Sequence, residues 1–115
     1  MAARIDIGVD GHDIARLAEF WSTALGYVAG GGIAQYTAIV DPDGIGPKFL
    51  FQCVPEAKSV KNRLHIDIQA ADVEAEADRL TAAGATRVER IDEFGIGWVV
   101  MLDPEGNEFC VVPGE

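Results

Sequence analysis

The sequence predicts an α+β fold made of two βαβββ modules. Three observations lead there. Two stretches, residues 5–10 and 64–69, alternate apolar and polar side chains at the period of a half-buried strand. Each is followed by an aspartate placed as a helix cap, and the interval from Asp6 to Asp13 equals that from His65 to Asp72, seven residues in both. The pattern D-P-x-G occurs twice, at Asp41-Pro42-Asp43-Gly44 and Asp103-Pro104-Glu105-Gly106, with an apolar strand on either side of each.

In the first half, Ile5, Ile7 and Val9 alternate with Asp6, Gly8 and Asp10. Behind Asp13, residues Ile14, Leu17, Ala18, Trp21 and Leu25 fall at helical spacing, so a helix is predicted from about Ile14 to Leu25. Gly26 stands just past its end, where a left-handed residue is favoured. A short strand is expected near Tyr27–Val28. Gly30-Gly31-Gly32 has no Walker lysine after it and reads as a flexible bend. Strands at Tyr36–Val40 and Phe49–Val54 flank the first D-P-x-G turn.

The second half repeats the order. Leu64, Ile66 and Ile68 alternate with His65, Asp67 and Gln69. Asp72 caps a helix whose apolar stripe is Val73, Ala77 and Leu80, with Glu74 and Glu76 near its positive end. Gly84 closes that helix. Strands are expected at Thr86–Ile91, Trp98–Leu102 and Glu108–Val112. A half of roughly 55 residues is small for burying both its helix and its sheet faces. The reading is therefore one domain over 1–115, with a first module at about 4–54, a connector at 55–62 and a second module at about 63–112.

Composition limits the function. The chain has 115 residues, 49% hydrophobic and 24% charged, which is globular. Its net charge of −10 excludes the cationic footprint that nucleic acid and anionic membranes require. No apolar run approaches the ~20 residues of a membrane span. Met1-Ala2-Ala3-Arg4 turns polar at Asp6, so no signal-peptide core is seen and a cytoplasmic location is expected. Cys53 and Cys110 lie in apolar strand-like runs and read as reduced thiols of a β core.

With that doubled order in view, the chain resembles the vicinal oxygen chelate superfamily, which includes glyoxalase I and the bleomycin-resistance proteins. Its wording is similar to the short bacterial glyoxalase-like domains. The similarity is carried by Asp13 with Arg16-Leu17-Ala18, Phe20-Trp21 and Leu25-Gly26. It continues in Phe51-Gln52 with Val54-Pro55-Glu56, in Lys61-Asn62-Arg63-Leu64-His65-Ile66-Asp67, and in Asp103-Pro104-Glu105-Gly106-Asn107-Glu108-Phe109. The resemblance implies a curved mixed sheet formed by both modules around one cavity that takes a small molecule. It also implies a metal set drawn from the first and last strand of each module: Asp6, Gln52, His65 and Glu108. Gln52 enters as the counterpart of Glu108. Glyoxalase I typically has His and Glu where this chain has Asp6 and Gln52.

By residue type, an imidazole with carboxylate and amide oxygens suits zinc, manganese, iron, cobalt or nickel. The competing reading is that these polar strand faces simply meet solvent. Tyr36, Phe51 and Trp98 lie on the strands, either as the apolar wall of a ligand site or as sheet packing. Lys58, Lys61 and Arg63 read as a solvated connector, or as an anion clamp. Two functions follow from different classes. One is a metal-free protein that binds or sequesters a drug or metabolite through Asp6, Tyr36, Phe51, Gln52, His65 and Trp98, and the residues at Asp6 and Gln52 lean toward it. The other is a divalent-metal lyase, isomerase or dioxygenase in which Glu108 or Asp67 moves a proton. A homodimer is expected of this architecture.

Overall fold

In the computed structural model, which describes residues 1–114, both alternating stretches run into strands and both aspartate caps start helices. The first module is β1 (Asp6–Gly11), α1 (Ile14–Leu25), β2 (Val28–Ile33), β3 (Tyr36–Val40) and β4 (Lys48–Cys53). The second is β5 (Ile66–Ala70), α2 (Val73–Ala82), β6 (Thr86–Glu93), β7 (Ile96–Leu102) and β8 (Glu108–Pro113). Among the described residues the architecture is thus eight strands and two helices in the repeated order βαβββ.

Each module holds its own four-stranded mixed sheet. The strand orders are β1-β4-β3-β2 and β5-β8-β7-β6. In both, the first strand lies parallel to the last and the remaining pairs are antiparallel. The chain divides into two compact units, Met1–Ala57 and Lys58 onward, so the boundary falls inside the expected connector.

The local chemistry explains the elements. The Asp13 carboxylate accepts from the Arg16 N–H at 3.1 Å, and the Asp72 carboxylate accepts from the Ala75 N–H at 3.0 Å, each satisfying an orphan donor of a first turn. Gly26 ends α1 at φ 72°, the left-handed conformation a glycine adopts without penalty. In each D-P-x-G turn the glycine N–H bonds back to the aspartate carbonyl, at 3.0 Å for Gly44 and 2.9 Å for Gly106. The aspartate side chain braces the same turn from within, at 2.9 Å to the N–H of Asp43 and 2.9 Å to that of Glu105.

Two expectations change. Gly30, Gly31 and Gly32 belong to β2 and do not form a flexible bend between it and β3. The ladder slips between Ala29 and Gly32, so the tract is a bulge against β3. A Cβ on Gly32 would lie 2.6 Å from the Tyr36 carbonyl oxygen, so the two backbones approach too closely for any side chain. Cys53 is exposed at the last rung of β4, its Sγ 3.4 Å from the His12 carbonyl, and is not a core thiol.

The core of each module lies between its helix and its sheet. In the first, Leu17, Phe20, Trp21 and Ala24 of α1 are buried, as are Ile39, Phe49 and Phe51 of the sheet. Trp21 meets Phe49 at 5.8 Å between ring centres, and Phe49 meets Phe51 at 6.2 Å. In the second, Ala77 and Leu80 of α2 are buried together with Val99, Met101, Phe109 and Val111. Strand alternation then turns the other face of each sheet away from its helix.

Candidate functional site

On the second sheet, Phe109 and Val111 point into the core, so Glu108, Cys110 and Val112 take the opposite face. Trp98 and Val100 share that face from β7, and Asp67 shares it from β5. His65 stands one residue ahead of β5. With Lys61 and Ile91, these residues line a hollow of about 410 Å³. The ladder sets their spacing: Asp67 lies opposite Cys110 on the parallel side, and Val100 opposite Cys110 on the antiparallel side. Continued back by one residue, the same register brings His65 level with Glu108.

The polar groups form two sets. His65 Nδ1 lies 2.7 Å from Asp67 Oδ1, and donates to it when the carboxylate is ionised. The ligating atoms of His65, Asp67 and Cys110 all lie within 4.8 Å of one another. Burial pushes the Cys110 thiol above its ordinary pKa, and the Asp67 charge adds to this while Lys61 opposes it. Glu108 belongs to the second set. It forms an ion pair with Lys58 and accepts from the Asn62 N–H at 2.7 Å. Burial pushes its carboxyl up, but the bonds from Lys58 and Asn62 and the charges of Lys58 and Lys61 outweigh it, and the pKa falls below the usual value. Lys58 is therefore an internal partner of the second module, its side chain only 19% exposed.

The first module has different residues at the same rungs. Asp6 lies opposite Lys48 in the β1–β4 ladder and pairs with it at 3.7 Å. Gly8 lies opposite Leu50, as Asp67 lies opposite Cys110. The counterpart of Glu108 is thus Lys48, and Gln52 answers to Val112. Spacing from the turns does not align the two: Glu108 lies two residues after Gly106, whereas Lys48 lies four and Gln52 eight after Gly44. Tyr36 pairs with Gln52, on the same face, and is half-buried. Phe51 does not reach that face: it is fully buried in the ring cluster against α1. A separate hollow of about 390 Å³ lies beside Asp6 and Lys48 at the 44–47 loop.

The structure thus gathers His65, Asp67, Glu108 and Trp98 around one hollow, and places Asp6, Gln52 and Tyr36 on the helix-free face of the other sheet. Sequence reasoning missed Lys48 and the nearness of Cys110 to His65, and it read Lys58 as connector or anion clamp where Lys58 pairs with Glu108. The interval from Asp6 to Lys48 is 42 residues and that from His65 to Glu108 is 43, so the ladder register, and not the spacing, identifies Lys48.

The comparisons agree with this architecture. The family model described as "Glyoxalase-like domain" matches residues 6–112. A search of curated proteins finds no match for the chain. Among solved structures, a glyoxalase/bleomycin resistance protein/dioxygenase family enzyme from Burkholderia phytofirmans is 18% identical, with a TM-score of 0.75, covering 96% of this chain and 100% of that one. The fosfomycin resistance protein FosX of Listeria monocytogenes, complexed with Mn(II) and sulfate, is 13% identical at a TM-score of 0.79, covering 100% of this chain and 92% of that one. A glyoxalase-related enzyme from Fulvimarina pelagi is 15% identical at 0.73, covering 99% of this chain and 89% of that one. At such identities the likeness shows the fold.

Proposed function

Since the chain belongs to the glyoxalase-like domain family, we propose that it binds a small molecule on the helix-free face of its second module, as a ligand-binding or sequestering protein. The hollow beside Trp98 carries this reading. Its wall is apolar, from Ile91, Trp98, Val100 and Val112, and its polar groups gather at His65, Asp67, Glu108 and Lys61. A few polar groups converging on an apolar wall suit a compact amphipathic ligand, the ring against Trp98 and the polar group toward His65 and Asp67. The net charge of −10 favours a cationic ligand over an anionic one.

The metal set Asp6, Gln52, His65 and Glu108 fits poorly as a donor set. Lys48, a cation, holds the rung that answers to Glu108 and pairs with Asp6. Glu108 is already engaged by an ammonium and a backbone N–H. A divalent ion on these carboxylates would have to displace two lysines. Those two pairs oppose the reading as a metal-dependent lyase, isomerase or dioxygenase, and no step is assigned through that set.

The test is a calorimetric screen with small aromatic cations, neutral aromatics and aromatic anions. The tightest binder is expected among the cations. Its affinity should fall about tenfold, or ~1.4 kcal/mol, in Trp98→Ala and in His65→Ala, and hold in Tyr36→Ala and Gln52→Ala. Equal losses from both modules would overturn the assignment. A two-fold homodimer is proposed alongside, because β2 and β6 are exposed sheet edges. A monomer by light scattering at tens of micromolar would refute it.

A further inference from the structure

We infer that the second module carries a thiolate-containing site for a zinc-like divalent ion at His65, Asp67 and Cys110, two residues along β8 from Glu108. It goes beyond the ligand-binding reading and does not depend on it. The first ground is geometry. The three ligating atoms lie within 4.8 Å of one another. A tetrahedral ion with bonds of ~2.0–2.3 Å holds its donors roughly 3.3–3.8 Å apart, so side-chain rotation alone closes the set. The backbone already aligns it: Asp67 and Cys110 face each other across the parallel β5–β8 ladder, and His65 is bonded to Asp67 at 2.7 Å.

The second ground is donor chemistry. With Glu108 tied to Lys58 and Asn62, the donor atoms gathered within 4.8 Å of one another are those of an imidazole, a carboxylate and a thiol. Thiolate with imidazole selects zinc or cobalt over manganese, magnesium or calcium. Three protein ligands leave a fourth position open, here toward the hollow beside Trp98. The third ground is contrast. The equivalent rungs of the first module are Asp6, Gly8 and Leu50, which offer one donor among three. On binding, the Cys110 S–H bond breaks, the sulfur bonds the ion as thiolate, and the proton passes to solvent.

The experiment is titration of tag-free, chelator-stripped protein with Zn²⁺ and, separately, Co²⁺. The expected result is one ion per chain, with a near-ultraviolet sulfur-to-cobalt charge-transfer band. Zinc X-ray absorption should show one sulfur at ~2.3 Å and nitrogen or oxygen at ~2.0–2.2 Å. Cys110→Ser should abolish the band, and His65→Ala and Asp67→Ala should each weaken binding by more than about tenfold, since even outer-shell changes cost 10–100-fold. Cys53→Ser should change nothing. Glu108→Gln should keep the affinity within about threefold, whereas a site built on Glu108 would lose it. Melting curves establish that each variant folds; if Cys110→Ser does not, the sulfur distance in the unaltered protein decides. Cobalt binding without the sulfur band, a band that survives Cys110→Ser, or no stoichiometric binding at micromolar ion overturns the inference. The aromatic-ligand screen, run on chelator-stripped protein, reads Trp98 against Tyr36; Trp98→Ala leaves the three ion donors in place, so failure of the ligand reading and failure of the ion site are told apart.

Discussion

Rung by rung, the helix-free face of the first sheet carries Asp6, Gly8, Asp10, Lys48, Leu50, Gln52 and Tyr36, and that of the second carries His65, Asp67, Gln69, Glu108, Cys110, Val112 and Trp98. The helix-facing sides are far more alike: Phe49 answers to Phe109, Phe51 to Val111, Ile39 to Met101 and Ile7 to Ile66. One face of each sheet is held to an apolar code by packing, while the other is free to differ. The charges show the consequence. Asp6 finds its cation directly across the ladder in Lys48, while Asp10 stands opposite Gln52 on the same face. Glu108 faces no cation in its own sheet and takes Lys58 from the segment before β5. An imidazole, a carboxylate and a thiol therefore come together in one module of two that share a backbone plan.

If packing governs the helix-facing side, truncation there should cost most. Phe51→Ala and Phe109→Ala each empty a fully buried site and should cost about 3–5 kcal/mol in urea denaturation. Tyr36→Ala, on the other face, should cost about 1 kcal/mol or less. A Phe51 variant no worse than the Tyr36 variant would break the division of faces.

The paired turns give a smaller, asymmetric effect. Asp103 is 3% exposed and accepts from the N–H groups of Glu105 at 2.9 Å and Asn107 at 3.0 Å, and from the Asn107 amide at 3.0 Å. Asp103→Ala strands those donors and should cost about 1–3 kcal/mol. Asp41 braces the matching turn but is only half-buried, and the N–H groups of Gly46, Asp43 and Ile45 hold its carboxyl below the usual range. Solvent can replace it, so Asp41→Ala should shift the melting temperature less than Asp103→Ala. Equal shifts would show that burial is not what separates the turns.

The ion pairs come next. Lys58→Ala leaves a mostly buried Glu108 with one partner fewer and should cost about 1 kcal/mol. Lys48→Ala breaks a longer pair whose side chains are 46% and 63% exposed, and should cost less than about 0.5 kcal/mol. Thermal denaturation of the two variants side by side reads the difference. A reversed order would mean that Lys58 is dispensable to the second module.

These contrasts show which parts of the molecule were legible in its sequence. Periodicity placed α1 at Ile14–Leu25, and the caps at Asp13 and Asp72 followed from their side chains, because both signals are local. The two D-P-x-G turns were legible for the same reason. Rung assignments were not, since the loops after the two turns differ in length and only the ladder register shows that Lys48, four residues before Gln52, holds the rung of Glu108. A one-letter pattern cannot tell a bulge from a bend, so the glycine tract was misread. Phe51 was assigned to a ligand wall because strand parity was not counted from the helix side. The pairing of Lys58 with Glu108 was not legible because the two lie 50 residues apart.

The smallest effect concerns the helices. The first turn of α1 has no acid, whereas α2 has Glu74 and Glu76. Glu74 is clasped by Arg87 at 2.7 Å and Arg90 at 2.8 Å. The Arg87 bond first, and the Arg90 bond next, pull its carboxyl from 4.5 to about 2. A folded-state pKa below the unfolded one means that the unfolded chain binds the proton more readily between these values. The stabilisation is complete above about 4.5, and is lost as the pH falls through about 2. Glu74→Gln removes this dependence. Its acid-denaturation curve should be flatter across that window, while its stability at neutral pH changes little, because exposed pairs are screened. In ~1 M salt, where the Debye length is ~3 Å, the two curves should approach each other. Trp21 reports on the first module and Trp98 on the second. If the flattening is seen by Trp98 alone, the modules lose structure separately in acid; if both probes shift together, they unfold as one. Identical curves for Glu74→Gln and the unaltered chain would show that the Arg87–Glu74–Arg90 clasp makes no difference between the modules.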